Sequence, residues 1–377
     1  MRSTSTPWIL PRRARRRNRI RGRPCGRFDS FVPPGRQEPR RAKSNTAEVK
    51  IAGKVLPLVL AVAAAFAWTP SKAAGPTPCV HRLLVLSAFP GEIDHLLAAT
   101  NVTHFETVHG RDFFEGTLRG NPVALAMTGI GIENADHTTR IALAHFRCDG
   151  VLAIDGIVFS GVAGGRSFIG DVTIPRRWTI DDGKSWFGVD PTMLSIAQQA
   201  AASVHLTDSV PLGDLACVGL DPDLIETIHM PQQPTIITGG DGKTADPFGG
   251  REFPCIPGGG DVFGCRPCRA PGLPRTHAIR FARDAVPFVD PSFFTGYFKN
   301  PTPSSTTYDA EDMETASVAR VAGQFGLPFI AFRAMSDGKG DPLKLPGFPF
   351  QFFIYRQLAA DNAATTALAF LAAWAAR

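Results

Sequence analysis

The 377-residue sequence lacks the short motifs that mark several common enzyme classes. It contains no G-x-S-x-G nucleophile elbow, no H-E-x-x-H zinc motif and no Walker phosphate loop. The sequence therefore gives no basis for assigning the chain to the elbow-type serine hydrolases, the zincin metalloproteases or the P-loop enzymes.

Positive charge is scarce in most of the chain, although the formal net charge is +6. Fourteen of the 40 Lys and Arg residues fall within residues 1–48, which hold only three Asp or Glu. From residue 74 onward there are 23 Lys or Arg against 31 Asp or Glu, a balance near −8. Such a chain has little with which to neutralise a phosphate backbone, so no nucleic-acid partner is predicted. RNA binding or import through the polybasic run 12–27 is the alternative.

A long hydrophobic run is also missing near the N-terminus. The apolar run 55–68 is fourteen residues long, which is short for a membrane span. Lys50 and Lys54 precede it, and residues 71–73 (SKA) follow as a small-x-small cleavage site, the pattern of a secretory signal. We predict a mis-called or disordered leader at 1–48, translation starting near Val49 and a signal peptide at 49–73. The mature protein would be secreted or periplasmic and free of the membrane, with a retained anchor as the alternative.

Seven cysteines occur, and Cys25 lies in the predicted leader. The other six are Cys79, Cys148, Cys217, Cys255, Cys265 and Cys268. An even number in an exported chain favours disulfides, and Cys79 with Cys148 is a candidate pair because each directly precedes a predicted strand. The last four cysteines could instead form a Cys₄ zinc site. A single C-x-x-C supports that site weakly, so no metal is predicted.

Short apolar runs and helical patterns alternate after residue 80. They predict strands at 81–87, 151–159 and 327–332, a hairpin with arms at 113–118 and 122–128, and helices at 90–97, 134–146 and 317–324. Gly326 is expected to stop the last helix. Strands that alternate with helices predict an α/β fold, a three-layer sandwich with a mixed, mainly parallel central sheet, spanning residues 76–377.

Residues 217–303 interrupt this alternation. The segment is rich in Gly, Pro and Asp, shows little periodicity and carries four of the six remaining cysteines. We predict a cysteine-stapled insertion over or beside the active edge of the sheet. A substrate lid and a solvated structural loop remain equally open as its role.

Three carboxylates stand at strand-to-helix junctions: Glu92 after the first strand, Glu314 at a helix N-terminus and Asp337 past the end of a strand. These places lie along one edge of an open α/β sheet, where ligands bind. Glycine-bearing turns at 128–131 and 161–165 would let a ligand approach the backbone. Two carboxyl groups in different surroundings suit acid/base chemistry, whereas helix capping is the structural alternative.

Five segments carry a family resemblance: 87–92 (SAFPGE), 128–131 (TGIG), 161–165 (GVAGG), 312–316 (DMETA) and 333–337 (RAMSD). In this order they resemble the purine nucleoside phosphorylase superfamily, most closely the nucleosidase branch typified by methylthioadenosine/S-adenosylhomocysteine nucleosidase. The resemblance covers about residues 82–337. It implies a phosphorylase/hydrolase-like fold, a small-molecule nucleoside substrate, no cofactor, and a homodimer or higher oligomer.

The resemblance also implies which residues bind the substrate. Glu314 would bind the ribose 2′ and 3′ hydroxyls, Met313 would pack on the sugar, and Ser336 would help to place the base. Gly129 and Gly161 would admit the substrate to the backbone. Phe89 and one of Phe348, Phe350, Phe352 or Phe353 would line an apolar pocket for the 5′ substituent or the base, with ordinary core packing as the alternative for the aromatic run.

Three residues would then be catalytic. Asp337 would protonate or hydrogen-bond purine N7, Glu92 would act as general base on the attacking water, and Arg333 would lie near that water. A phosphorylase has to hold a dianion, usually with Arg groups, and only Arg166 and Arg333 are near candidates. The sequence therefore predicts hydrolysis.

Two departures from the nucleosidase pattern leave the substrate open between a methylthioadenosine-like and an adenosine-like nucleoside. Val162 stands in place of a small polar residue, and Pro90 with Gly91 replaces acidic residues. A phosphate-dependent phosphorylase and a non-catalytic nucleoside-binding or storage protein are the alternative functions.

Overall fold

A computed structural model describes residues 79–211, 226–268, 299–303 and 307–377. The predicted leader, the predicted signal peptide and Cys217 lie outside the described residues.

Sixteen strands lie in the described part of the chain. They are β1 (Arg82–Ser87), β2 (Asn101–Val108), β3 (Arg111–Leu118), β4 (Asn121–Met127), β5 (Arg147–Cys148), β6 (Val151–Leu152), β7 (Ile154–Phe168), β8 (Val172–Ile174), β9 (Arg177–Thr179), β10 (Phe187–Gly188), β11 (Ser209–Pro211), β12 (Thr227–His229), β13 (Ile236–Thr238), β14 (Asp241–Thr244), β15 (Ala310–Asp312) and β16 (Phe329–Lys339).

Six helices occur in the same described ranges. They are α1 (Pro90–Ala98), α2 (Ile132–His145), α3 (Pro191–Ala201), α4 (Gly260–Phe263), α5 (Thr315–Gln324) and α6 (Phe350–Ala375). None of them combines the length and apolar character that crossing a lipid bilayer requires.

Twelve strands form one mixed sheet, in which β4, β1, β7 and β16 make a parallel centre. The outer pairs β2–β3 and β3–β4 are antiparallel, and β16 is also antiparallel to β8. The central strand β1 is apolar almost throughout (RLLVLS) and buried, as expected for a strand covered on both faces.

Two groups of helices flank the sheet. Helices α1 and α3 pack on α6, whereas α2 packs on α5. Their apolar faces join the central strands in one core, which includes Leu84, Phe159 and Phe332. The predicted three-layer α/β architecture with a mixed, mainly parallel sheet is confirmed.

The predicted elements differ from the observed ones mainly in length. The segment 161–165 is not a turn, because β7 runs unbroken through it. Likewise β16 continues past the predicted end at residue 332, so Asp337 lies inside a strand. Helix α5 ends as predicted, with Gly326 at a φ of 68° directly after its C-cap.

The segment 217–303 contributes more to the sheet than the sequence indicates. Strand β14 pairs in parallel with β9 and β15, and β13 pairs in parallel with β8. The predicted start of the insertion at residue 217 is therefore too early for these two strands.

Disulfides staple the chain at two described places. Cys79 and Cys148 are joined across 69 residues of sequence, as predicted. Cys255 is joined to Cys265, and Cys268 is disulfide-bonded as well, so these three thiols are not zinc ligands. The predicted stapling of the insertion is confirmed.

Candidate active site

One cavity of about 240 Å³ opens where α1, β7, α5 and β16 come together. Six of the nine predicted site residues line it: Phe89, Glu92, Met313, Glu314, Ser336 and Asp337. The three carboxylates that the sequence placed at strand-to-helix junctions thus surround a common space.

Glu92 lies in the first turn of α1, where Pro90 occupies the start of the helix. Its side chain is 1% exposed and accepts hydrogen bonds from the backbone N–H groups of Ala88 (2.5 Å) and Val162 (2.7 Å). Burial raises the pKa of Glu92, and Arg333 together with the two N–H donors opposes that rise. The carboxyl group is therefore a fixed, poorly solvated base.

Arg333 does not line the cavity. It lies beneath the lining with 0% exposure, and its guanidinium stacks 4.1 Å over the ring of Phe159. Its nitrogens reach Glu92 (3.4 Å), Asp312 (2.8 Å) and Glu314 (3.3 Å). Three carboxylates therefore share this one guanidinium.

Glu314 is the N-cap residue of α5, as predicted from the sequence. Its Oε1 accepts a hydrogen bond from the Gly131 N–H at 2.8 Å, and its Oε2 accepts one from Arg333 at 3.3 Å. Burial raises the pKa of Glu314, the charges of Asp312 and Glu92 raise it further, and Arg333 opposes them. Arg333 brings one positive charge against three buried carboxylates, so the surroundings favour protonation within this cluster.

Asp337 is separate from that cluster. The Ser336 hydroxyl donates to its Oδ1 at 2.9 Å. Burial raises the pKa of Asp337 to about 6, Glu311 adds to the effect, and the Ser336 hydrogen bond opposes it. At neutral pH this group can reach its protonated form far more readily than an ordinary aspartic acid.

Glycines of β7 allow both carboxylates to approach the strand. A Cβ at Gly161 would lie 2.3 Å from Glu92 Oε1, and a Cβ at Gly164 would lie 2.0 Å from Asp337 Oδ2. The two carboxylates thus contact β7 two to three residues apart, which corresponds to roughly 7–10 Å at the rise of a strand. Gly161 supports the site from behind, and neither Gly129 nor Gly161 is part of the cavity wall.

Part of the cavity lining is an aromatic wall, formed by Phe248, Phe253, Phe263 and Phe353. Ring centroids are 4.9 Å apart for Phe248 and Phe253, 6.1 Å for Phe253 and Phe263, and 6.3 Å for Phe263 and Phe353. Three of these rings come from the segment predicted as an insertion. Residues 245–263 thus contribute to the cavity lining, and a role as a substrate lid stays a prediction.

A possible metal cluster occurs elsewhere, on the β2–β3 hairpin. His104, Glu106 and Glu115 offer ligand atoms within 4.8 Å of one another. Arg82 already lies 3.1 Å from Glu115, and His145 lies 2.6 Å from Glu106. These pairings account for both carboxylates without an ion.

A model of the phosphorylase superfamily matches residues 82–240 and 300–372, which together make up more than half of the chain. The chain belongs to the phosphorylase superfamily. The match includes every predicted site residue and leaves out residues 241–299, from which most of the aromatic wall comes. The resemblance inferred from five short segments is confirmed.

Similar proteins include both named and uncharacterised ones. The uncharacterised protein Rv2293c of Mycobacterium tuberculosis is 42% identical over 222 residues, covering 58% of this chain and 89% of that protein. A 5′-methylthioadenosine/S-adenosylhomocysteine nucleosidase of Shewanella baltica is 26% identical over 263 residues, covering 68% of this chain and 84% of that protein. The crystal structure of the nucleosidase of Neisseria meningitidis with methylthio-immucillin-A is 20% identical, with a TM-score of 0.47 and coverage of 77% and 98%.

Two acidic residues of the phosphorylase-superfamily site, Glu311 and Asp312, were not predicted from the sequence. Asp312 accepts hydrogen bonds from the Thr244 hydroxyl (2.6 Å) and from the Thr315 N–H (3.2 Å) while it pairs with Arg333. Its position in the DMETA segment, just before a helix start, was the available signal. Phe353 lies in the range 348–353 that was predicted to line a pocket with Phe89, whereas Phe248, Phe253 and Phe263 were missed because they sit in a glycine- and proline-rich stretch without periodicity.

Proposed function

We propose that this protein is a purine nucleosidase, which uses water to cleave the bond between a purine and its ribose. The observation that carries the proposal is the charge of the cavity. Among the described residues that line it, every ionisable side chain is a carboxylate: Glu92, Glu311, Asp312, Glu314 and Asp337. Arg333 is committed to three of them. A phosphate dianion would meet repulsion here, whereas a neutral water molecule would not.

The ribose would bind next to Glu314. Cleavage of an N-glycosidic bond builds positive charge on the sugar, as in glycoside hydrolysis. A buried carboxylate stabilises that charge more strongly than an exposed one, because little water screens the interaction. Glu314 would hold the 2′ and 3′ hydroxyls, Met313 would pack against the sugar, and both line the cavity.

The attacking water would be activated by Glu92. The two N–H donors on this carboxylate hold it in place, and its raised pKa makes it a stronger base than a solvated glutamate. As the water oxygen bonds to C1′, its proton passes to Glu92. Arg333 would act as a positioning residue, because it holds Glu92 and Glu314 from beneath the lining.

The base would leave with a proton from Asp337. In its protonated form Asp337 donates to purine N7, so that a neutral purine departs while the C1′–N9 electron pair returns to the base. Ser336 orients the acid through its hydrogen bond. Glu92 and Asp337 line the same cavity, and the water and the leaving base would lie on opposite faces of the sugar, as in inverting glycosidases.

The proposed enzyme works outside the cytoplasm. The signal pattern at 49–73 supports export, and so do the disulfides of Cys79 with Cys148 and Cys255 with Cys265, since such bonds persist in oxidising compartments. The Shewanella baltica nucleosidase supports the reaction class. A homodimer or higher oligomer stays a prediction.

A base-release assay tests the function. The purified chain is incubated with 5′-methylthioadenosine, adenosine and inosine, each with and without inorganic phosphate. Release without phosphate is the expected result. Strict dependence on phosphate would make the protein a phosphorylase, and no release from any substrate would favour the binding or storage alternative.

A further inference from the structure

The proposed acid Asp337 lies where the pairing of β7 with β16 is irregular. Its partner on β7 is Gly164, and the next paired residue of β16, Lys339, lies opposite Phe168. Two residues of β16 therefore correspond to four of β7. A bulge of this kind re-aims a side chain, and it also interrupts the backbone hydrogen bonds that would fix the strand. The acid therefore needs support from outside the pairing of the two strands.

Gln351, in the first turn of α6, supplies that support. Its side-chain Oε1 accepts a hydrogen bond from the buried Gly338 N–H at 3.1 Å. This N–H belongs to the planar peptide group that joins Asp337 to Gly338, so the hydrogen bond fixes the backbone directly after the acid. A Cβ at Gly338 would lie 2.6 Å from the Ser167 carbonyl oxygen, so this peptide also lies close against β7. Gln351 thus helps to set the direction in which the acid projects.

Gln351 is itself held by a carboxylate. Its Nε2 donates to Asp341 Oδ2 at 3.1 Å. Asp341 also accepts hydrogen bonds from the backbone N–H groups of Leu343 (2.8 Å) and Leu345 (2.7 Å) and from the hydroxyl of the buried Tyr355 on α6. Four donors keep this carboxylate in one position. A chain of contacts therefore runs from Tyr355 through Asp341 and Gln351 to the backbone of the acid.

The two contacts of Gln351 require a side chain that both accepts and donates. The group has to accept from an N–H on one side and donate to a carboxylate on the other. Lysine and arginine do not accept, and an ionised glutamate does not donate. Gln351 is 5% exposed and does not line the cavity. It therefore acts on the site through the backbone next to Asp337.

We propose that Gln351 is a positioning residue for the general acid. Held by Asp341 and Tyr355, it keeps Asp337 in the orientation that protonates the leaving base. The proposal rests on the proposed nucleosidase function and adds three residues to its machinery. Loss of this support would admit water to the carboxyl group of Asp337, which weakens the burial that raises the pKa of this acid.

Gln351→Met tests the proposal, because methionine has a similar length and removes both hydrogen bonds. We expect kcat to fall by roughly 10- to 100-fold, the cost of displacing a reacting group by about 1 Å. The alkaline limb of the kcat/KM profile should also move to lower pH. Gln357→Met is the matched control, since Gln357 lies on the same helix, donates to Asp361 at 2.8 Å and does not line the cavity. Equal changes in the two variants, measured where both stay folded, would contradict the proposal.

Gln351→Glu separates the hydrogen bonds from the identity of the side chain. Beside Asp341 the new carboxyl group should retain its proton, because two carboxylates at this distance do not both ionise. In that neutral form it accepts from Gly338 and donates to Asp341, as glutamine does. The variant should therefore recover most of kcat at pH 5. A loss as large as that of Gln351→Met would overturn the assignment.

Tyr355→Phe tests the far end of the chain of contacts. The variant removes one hydroxyl, so we expect a smaller loss of kcat than in Gln351→Met. In the double variant with Gln351→Met it should add nothing, because its effect passes through Gln351. Additive losses would contradict the chain of contacts.

An NMR titration separates this proposal from the nucleosidase function. The side-chain carboxyl carbons of aspartate are isotope-labelled, and the pKa of Asp337 is followed in the unmodified chain, Gln351→Met and Gln357→Met. A lower pKa in Gln351→Met alone supports the positioning role even if no nucleoside is cleaved. Equal pKa values in all three proteins contradict it, even if the unmodified chain releases the base without phosphate.

Discussion

The carboxylate part and the aromatic part of the cavity lining are held in place by different interactions. The acidic side consists of Glu92, Glu314 and Asp337, which are almost fully buried on strands and helix starts of the superfamily core. The aromatic wall consists of half-buried rings, and three of the four (Phe248, Phe253 and Phe263) lie in residues 241–299, which the superfamily model does not match.

This difference predicts separate roles for the carboxylates and for the aromatic wall. A catalytic group has to be held to within a fraction of an ångström, which buried hydrogen bonds on regular elements provide. An apolar surface needs only the right shape and a stable position, which a disulfide and a few surface pairs provide. Changes to the acidic side should therefore act on every substrate alike, and changes to the wall should act on KM.

The largest effect is expected for Asp337→Asn. The variant removes the proposed general acid, so kcat should fall by on the order of 10²–10⁴ for every nucleoside tested. In the unmodified chain, kcat/KM should also decline as pH rises through about 6, because Asp337 has to be protonated to donate. Steady-state assays over a range of pH measure both.

Glu311→Gln is the matched control for this variant. Glu311 is another carboxylate of the cavity wall, and it pairs with Lys243 at 3.5 Å. Its loss should shift the alkaline limb slightly towards lower pH, since Glu311 raises the pKa of Asp337, and should leave the maximal rate nearly intact. Near-normal turnover of Asp337→Asn would remove Asp337 from the mechanism.

Asp337→Asn should also stabilise the folded chain at alkaline pH. The pKa of Asp337 is about 6 in the folded chain against 3.8 normally, so its favourable contribution exists below pH 4 and is lost as pH rises through 6. Asparagine carries no such penalty. We expect Asp337→Asn to be more stable than the unmodified chain by roughly 1–3 kcal/mol at pH 8 and nearly equal to it at pH 4. Urea unfolding at the two pH values tests this, and a variant less stable at pH 8 would contradict it.

The acidic side could be predicted from the sequence because its signals are local. Glu92 directly follows a strand, and Glu314 directly precedes a helix, so each position fixes the edge of the sheet on which it lies. Asp337 was located on that edge even though β16 extends further than its apolar residues indicate. The strand continues because it pairs with both β7 and β8.

The rest of the site depends on contacts between distant parts of the chain. Arg333 lies beneath the cavity lining only because Glu92, 241 residues earlier, and Asp312 draw its guanidinium into the core. Phe253 reaches the cavity through a hydrogen bond with Asn134, which is 119 residues away. Neither contact could be predicted from sequence periodicity or from the position of a residue next to a strand or helix.

The two disulfides allow the aromatic wall and the core to be tested separately. Replacing both Cys255 and Cys265 by Ser frees the loop of the aromatic wall, so KM for 5′-methylthioadenosine should rise by about tenfold, within the range of a perturbed apolar pocket. The cost in stability should be the smaller of the two disulfides, about 2–3 kcal/mol, because the bond spans only 10 residues of sequence.

Cys79→Ser with Cys148→Ser is the matched control, and it should cost more stability without changing KM. This bond spans 69 residues, so its loss should lower the free energy of unfolding by about 2–5 kcal/mol and leave KM unchanged at a temperature where the chain stays folded. If the two double variants changed stability and KM in the same proportion, the expected separation between the roles of the core and of the aromatic wall would be wrong.

The smallest effect concerns the charge balance around Arg333. Burial raises the pKa of Glu92, and the charge of Asp312 adds to that rise. Asp312→Asn removes this charge and leaves Arg333 to Glu92 and Glu314, so the acid limb of the kcat/KM profile should move to lower pH. Thr244→Val is the matched control, because it removes the hydrogen bond to Asp312 and the acceptor of the Ala316 N–H without changing any charge. A shift in Asp312→Asn alone would show that Asp312 sets the proton affinity of the base, whereas equal shifts in both variants would mean that Asp312 only holds the start of α5.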